Sequence, residues 1–400
     1  MKTMKLKHTA IALLALSAFT GSAYAQSSVT LYGIVDTGLL YNSNVKGSSE
    51  FAMSQATSSR WGLKGAEDLG GGLQSVFDLE NGFTTATGTL SQGGLEFGRK
   101  AFVGLSSSSW GTVTLGRQYS VSNDFTASFA SGGDWAASGL GYGTRASDVD
   151  NVDTSNRIEN SLKYESAVFN GLQFGAMYSF GGQAGNVTKS EVIDAGVSYS
   201  NGPFKFGVGY DFTKDPYYAT FGDQGNSSTS ATGTNDNINN TIYGGYASAG
   251  AQQIVVVGGS YTTGPATIGL EYSNTQFLSL GSVAAGGAIG APKYTSGSAT
   301  FNSGEVNLKY MVNPALQLSG AYIYTRNSGA DGFKGASYNQ FNLGAMYNLS
   351  TRTFLYAIAF YEKASGTDST GKAAVADLDG SAFSASNSQF ATIVGITHKF

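Results

Sequence analysis

The sequence predicts an all-β protein, a sixteen-stranded antiparallel β-barrel that crosses an outer membrane. Three observations carry that expectation. Apolar and polar residues alternate with period two along nearly the whole chain, with no long helical stripe to compete. Connections between the alternating segments are short and long in turn. Beyond residue 25, no run approaches the ~20 apolar residues that a spanning helix needs.

The amino terminus is set apart from the rest. Lys2, Lys5 and Lys7 precede an apolar core from about Ala10 to Phe19, and Ala23-Tyr24-Ala25 has the small-x-small form of a cleavage site. Residues 1–25 therefore read as a secretory signal peptide, too short to span a bilayer, and residues 26–400 as one barrel domain. Removing three lysines takes the formal charge from −4 to −7. Cysteine is absent, so neither disulfides nor thiolate metal sites are available, and cohesion must come from a hydrogen-bond ladder. The acidic balance and the lack of a basic stripe argue against nucleic acid.

Alternation and turn chemistry place strands at residues 29–41, 54–66, 73–83, 97–106, 111–119, 157–167, 172–180 and 191–200. The second half follows at 204–213, 252–262, 266–275, 304–312, 315–327, 338–349, 353–363 and 388–400. In the ninth, Phe204, Phe206, Val208, Tyr210 and Phe212 alternate with Lys205, Gly207, Gly209, Asp211 and Thr213. In the sixth, Ile158, Leu162 and Tyr164 are expected outward, opposite Arg157, Glu159, Lys163 and Glu165. A barrel of about sixteen strands is too wide for side chains to fill, so the charged face is the lumen and the apolar face meets lipid. Short turns such as Asn170-Gly171, Gly264-Pro265 and Asn313-Pro314 mark one rim, periplasmic by the outer-membrane pattern; Gly/Ser/Thr/Asp-rich loops near 120–156, 214–250, 276–303 and 364–387 mark the external one.

Taken together, Ser28-Val29-Thr30-Leu31-Tyr32-Gly33, Ser59-Arg60-Trp61-Gly62-Leu63-Lys64-Gly65, Glu67-Asp68-Leu69-Gly70, Gly98 to Leu105, Gly111 to Arg117 and the terminal Phe400 resemble the general trimeric porins of Gram-negative outer membranes, over essentially the whole mature chain. The resemblance implies a homotrimer, a water-filled channel for passive diffusion of small hydrophilic solutes and ions, and a third external loop folded into each pore. It further implies a ladder of wall arginines facing acids of that loop. Arg60, Arg99 and Arg157 match the ladder, with Lys64 below Arg60 on the same face. Asp124 and Asp134 are the expected facing acids, and Asp78 and Glu80 read as lumen-facing from the third strand. Guanidinium suits such a ladder because it stays charged at any relevant pH, and a row of them against carboxylates makes a transverse field. The concentration of arginines there favours a weak anion preference.

By parity Arg117 faces outward with Val113 and Leu115. It is expected at a subunit contact, paired with a neighbour's Glu96, unless a bulge turns it inward. Gly395, His398 and Phe400 resemble the terminal signal read by the barrel-assembly machinery. Membrane lipid and lipopolysaccharide are the expected surroundings. No cofactor, metal or catalytic residue is expected: Asp148, Asp150 and Asp153 lack the glycine turn and distal Glu of a calcium loop. Of two histidines, His8 falls in the signal segment and His398 on the lipid face, so a histidine-based barrel enzyme has no base. A substrate-selective channel, and an adhesive surface on the long loops, remain the other readings.

Overall fold

Each strand of this chain leaves its ladder bonds to be completed by its neighbours, and a sheet that closes on itself completes all of them. The computed structural model describes residues 28–137, 141–153, 156–182, 184–216, 240–283 and 294–400. The proposed signal peptide lies outside them. Seventeen strand segments run in chain order. They are β1 (Ser28–Val45), β2 (Ser48–Ser54), β3 (Ser59–Gly70), β4 (Leu73–Phe83), β5 (Lys100–Ser107), β6 (Gly111–Gln118), β7 (Ile158–Glu165), β8 (Leu172–Ser179) and β9 (Val192–Asn201). Then come β10 (Phe204–Lys214), β11 (Ala251–Thr263), β12 (Ala266–Leu278), β13 (Ala299–Met311), β14 (Leu316–Asn327), β15 (Ala336–Asn348), β16 (Thr353–Gly366) and β17 (Ser388–Lys399). Every neighbouring pair is antiparallel, and β1 closes on β17 from Ile34↔Lys399 to Asn42↔Ala391.

The barrel has sixteen staves because β2 and β3 are two halves of one. Both pair with β1, β2 above (Gly38↔Ser54) and β3 below (Ile34↔Arg60). Between them the ladder is interrupted, and the buried Asp36 fills the gap. Its carboxylate accepts from Ala56 N at 2.7 Å and Tyr356 Oη at 2.9 Å, and also from Thr397. The expected second strand thus began too low; its upper half resumes only across this break.

Alternation sets the faces as expected. In β17 Phe390, Val394 and Ile396 are exposed outward, while Gln389, Ala391, Ile393 and Thr397 are buried inward. Two expectations fail at β7. Asn160 has φ of 51° and the β6–β7 register shifts there, so Ile158 turns inward and packs on Val121, Met177 and Val192 instead of facing lipid, and Glu159, expected in the lumen, meets the outward Arg117.

External loops L1 to L8 occupy residues 46–47, 84–99, 119–157, 180–191, 215–250, 279–298, 328–335 and 367–387. L3 enters the barrel. Its helix α1 (Val121–Thr126), a 3₁₀ turn (Ala127–Phe129) and the short helix α2 (Ser131–Asp134) lie across the inner wall. The wall under them is glycine. A Cβ on Gly196 would meet Phe125 at 3.0 Å, one on Gly258 Phe129 at 2.8 Å, and one on Gly344 Trp135 at 2.8 Å. Residues of L3, L5, L6, L7 and L8 share an apolar cluster with the β12–β16 wall, centred on Tyr246, Phe277 and Phe301. Gly207→Val would drive a side chain into Phe125 and Phe129, at a cost of about 1–3 kcal/mol. Urea unfolding followed through Trp135 fluorescence should show the lowered midpoint with the slope unchanged.

Candidate pore constriction

Where L3 crosses the lumen, wall side chains hold its backbone. Asp194 of β9 accepts from Val121 N and Ser122 N at 2.6 and 3.1 Å. Glu305 of β13 accepts from Ser131 N at 2.5 Å, and Asn307 donates to Phe129 O at 2.7 Å. Gln340 and Asn342 of β15 donate to Tyr142 O and Gly143 O, each at 2.7 Å. Arg145 on the returning arm is fully buried, with Nη2 2.8 Å from Glu271 and Nε 3.2 Å from Asp150. Glu271 and Glu305 stand directly opposite each other on β12 and β13, an arrangement of like charges that needs this guanidinium.

The open side of the lumen belongs to β1 and β3 to β7. Glu80 of β4 is the hub. Arg99 Nε lies 2.6 Å from it, Arg60 Nε 3.7 Å, and Tyr32 Oη 3.0 Å. Asp78, one pleat below, takes Tyr32 Oη at 2.6 Å and Lys100 Nζ at 3.2 Å. Tyr119, at the start of L3, sits under three cations. The Arg157 guanidinium is 5.3 Å from its ring, and Arg99 and Lys100 are 5.9 Å away. Arg60, Arg99 and Arg157 therefore converge, and Asp78 and Glu80 stand among them. Lys64 faces the lumen lower down, 4.9 Å over the Tyr32 ring. Beneath the cluster opens a chamber of about 870 Å³ lined by Lys64, Asp78, Lys100, Asp124, Lys163 and Lys205.

The expected loop acids stand elsewhere. Asp124 forms an ion pair with Lys163 of β7, and Asp134 reaches the far wall to pair with Lys309 of β13. The loop carboxylate within electrostatic range of Arg157 and Arg99 is Asp153. Burial, with Asp148 and Asp379 nearby, pushes the Asp153 carboxyl well above the usual carboxylate range, the two arginines opposing. Asp379 of L8 is pushed up by burial and by Asp148, Asp377 and Glu362. Lys100 and Tyr119 are the residues that sequence reading missed. With Arg99 taken as a mid-strand inward residue, parity turns Lys100 out; β5 begins only at Lys100, and both side chains face the pore.

Arg117 looks outward, and within its own chain a Glu159 carboxylate lies 3.5 Å away. Its Nε also donates to Gly98 O at 2.8 Å. Glu96 is exposed on L2, its carbonyl accepting from Asn81. At the chain end Phe400 exchanges backbone hydrogen bonds with Gly33 at 3.0 and 3.1 Å. His398 is exposed outward, Nδ1 2.9 Å from Thr353 Oγ1, and Gly395 faces in beneath Tyr356.

A closed sixteen-stave barrel with a loop laid across its lumen is the geometry of a pore, and residues 12–367 match the family described as Gram-negative porin. The chain belongs to that family. An outer membrane porin protein of Bordetella pertussis is 32% identical over 90% of this chain and 94% of its own length. Outer membrane porin protein 32 of Delftia acidovorans is 30% identical over 99% and 100%. Among solved structures, an anion-selective porin from Comamonas acidovorans superposes with a TM-score of 0.69 at 24% identity, covering 94% of this chain and all of that one. OmpT of Vibrio cholerae, solved in a trimer form, gives 0.60 at 16% identity over 94% and 99%. This porin resides in the outer membrane of a Gram-negative bacterium, with its short turns periplasmic and its long loops external.

Two outcomes follow for the porin. Arg145→Leu strands Glu271, Glu305 and Asp150 without their counter-charge and should cost about 3–5 kcal/mol, measured by urea unfolding; adding Glu271→Leu should recover part of it. Raised carboxyls at Asp153 and Asp379 bind protons above the ordinary carboxylate pKa of about 4. The Asp153 charge within range of Arg99 and Arg157, and the Asp379 charge near it, are then present at high pH and lost as pH falls through those raised values. Zero-current potentials measured through a pH series from alkaline to acid should move toward anions as the pH falls.

Proposed function

We propose that this porin is a homotrimeric, non-catalytic channel for passive diffusion whose small solutes are ordered by a transverse field at the constriction, with a weak anion preference. The observation that carries the proposal is the convergence of Arg60, Arg99, Lys100 and Arg157 around Tyr119 and Glu80. Four cations meet two wall carboxylates, Asp78 and Glu80, so the narrow point keeps a positive excess although the chain as a whole is acidic. Because Glu80 holds two of the arginines, the excess is modest. A field of this kind aligns dipolar solutes and water more than it retains ions. Cleavage after Ala25, insertion by the barrel-assembly machinery through Gly395, His398 and Phe400, a subunit contact at Arg117 and Glu96, and lipopolysaccharide around the barrel belong to the same proposal.

Glu80→Gln should raise the chloride-to-potassium permeability ratio, and Arg99→Gln should lower it. One charge near the path is worth about 1 kcal/mol in water, so each change should be about fivefold at low salt and smaller near 1 M. The measurement is the zero-current potential in a planar bilayer under a KCl gradient. A potassium-signed potential for the unaltered protein would sink the anion preference, and unchanged ratios in both variants would remove this cluster from the constriction.

A further inference from the structure

Below the arginines, one stretch of the water-facing wall is apolar. Thr30, Lys64, Asp78, Phe102 and Gly116 stand side by side across β1, β3, β4, β5 and β6. The row one pleat nearer the periplasm holds Ala66, Val76, Gly104, Thr114 and Lys163. Ala66, Val76 and Phe102 therefore adjoin, and all three are half-buried and line the chamber of about 870 Å³. The late start of β5 that turns Lys100 to the pore turns Phe102 with it. Gly104 and Gly116 put no side chain beside the ring; a Cβ on either would meet a carbonyl oxygen of the adjoining strand at 2.1 Å.

Ammonium groups surround this patch on three sides. Lys100 stands one pleat above Phe102 on the same strand, Lys64 two strands away in the same row, and Lys163 two strands away on the other side, one row down. Lys100 is held by Asp78, and Lys163 by Asp124 and Glu165. Lys64 is different. It is exposed, with Nζ 4.9 Å over the Tyr32 ring, and among the described residues no carboxylate lies within ion-pair distance of it. Asp78, directly opposite on β4, is already engaged by Tyr32 and Lys100. Two strands, roughly 10 Å, separate the backbones of Lys64 and Phe102.

We infer that this wall of the chamber is a binding subsite for aromatic carboxylates, the ring laid on Phe102, Val76 and Ala66 and the carboxylate drawn to Lys64. Apolar surface left against water is unfavourable in proportion to its area, and a planar ring covers it. A charge-assisted contact to an ammonium that has no carboxylate of its own fixes which end of the solute points where. A small aliphatic acid would meet Lys64 but leave the patch wet, and a neutral ring would cover the patch but leave the ammonium without its counter-charge. The subsite deepens the diffusion-channel reading and rests on it, since solutes reach this wall by entering the pore.

The test measures binding of benzoate, acetate and benzyl alcohol to the full chain folded in detergent, by saturation-transfer NMR with protein-free micelles as the blank. Wild type should bind benzoate about tenfold more tightly than either of the others. Phe102→Ser should weaken benzoate about tenfold, and Phe102→Tyr, which keeps the ring, should retain most of the affinity. Lys64→Gln, at an exposed position, should weaken it about fivefold and tests the site independently of any packing change at Phe102. Equal benzoate affinity in wild type and Phe102→Ser, or in wild type and Lys64→Gln, overturns the subsite. Equal affinity for acetate and benzoate overturns the aromatic assignment, and equal affinity for benzyl alcohol and benzoate overturns the carboxylate one. Planar-bilayer current separates this inference from the channel reading. A conducting pore that binds no benzoate overturns the subsite alone, whereas benzoate binding by a folded protein that conducts nothing removes the channel.

Discussion

A loop that enters a barrel carries backbone N–H and C=O groups that no ladder completes, and the whole interior of this porin is arranged around that fact. Asp194, Glu305, Asn307, Gln340 and Asn342 project from three strands, β9, β13 and β15, and each closes a hydrogen bond to L3 backbone. Each such bond contributes about 1 kcal/mol, but leaving its buried partner bare costs about 1–3 kcal/mol, so the wall specifies where L3 lies more than it stabilises the fold. Glycine at 196, 207, 258 and 344 lets the loop approach closely enough for those bonds to form.

With L3 fixed, the lumen divides. The side under β11 to β17 is filled by the loop, by Trp135 and Tyr142 against Phe360 and Ile393, and by the aromatic cluster at Tyr246. The side under β1 and β3 to β7 stays open, continuing below into a chamber that β8 to β10 also line, and there the charged wall lines the path. Its charges are mostly held by one another: Glu80 with Arg99 and Arg60, Asp78 with Lys100, Asp124 with Lys163. Fixed pairs of this kind give a steep local field with little net charge. That is a physical basis for a channel that sorts by size and orientation rather than by tight binding.

The barrel was legible because its physics is local. Period-two alternation needs only neighbouring residues, and β4 begins and ends where the pattern placed it, at Leu73 and Phe83. Wall arginines were legible from the resemblance. Their partners were not, since Asp134 meets Lys309 across 175 positions of sequence and no local pattern encodes that. Parity failed where the ladder is broken, at Asn160 and at the start of β5, because one extra or missing ladder residue turns the following side chains to the other face. Arg145 is the lone cation among residues 120–156, a stretch with five aspartates. Its role depends on Glu271 and Glu305, more than a hundred residues away.

The chain contains no cysteine, so a single tether can be introduced cleanly. Ser131 Oγ of L3 and Asn342 Nδ2 of β15 are 3.1 Å apart, and replacing both with cysteine allows L3 to be locked to the wall on oxidation. If L3 rests where these hydrogen bonds place it, the cross-link forms readily and the oxidised pore keeps the conductance and zero-current potential of its reduced form. A cross-link that does not form, or one that closes the pore or shifts its selectivity, would contradict a loop held by the wall in the conducting state.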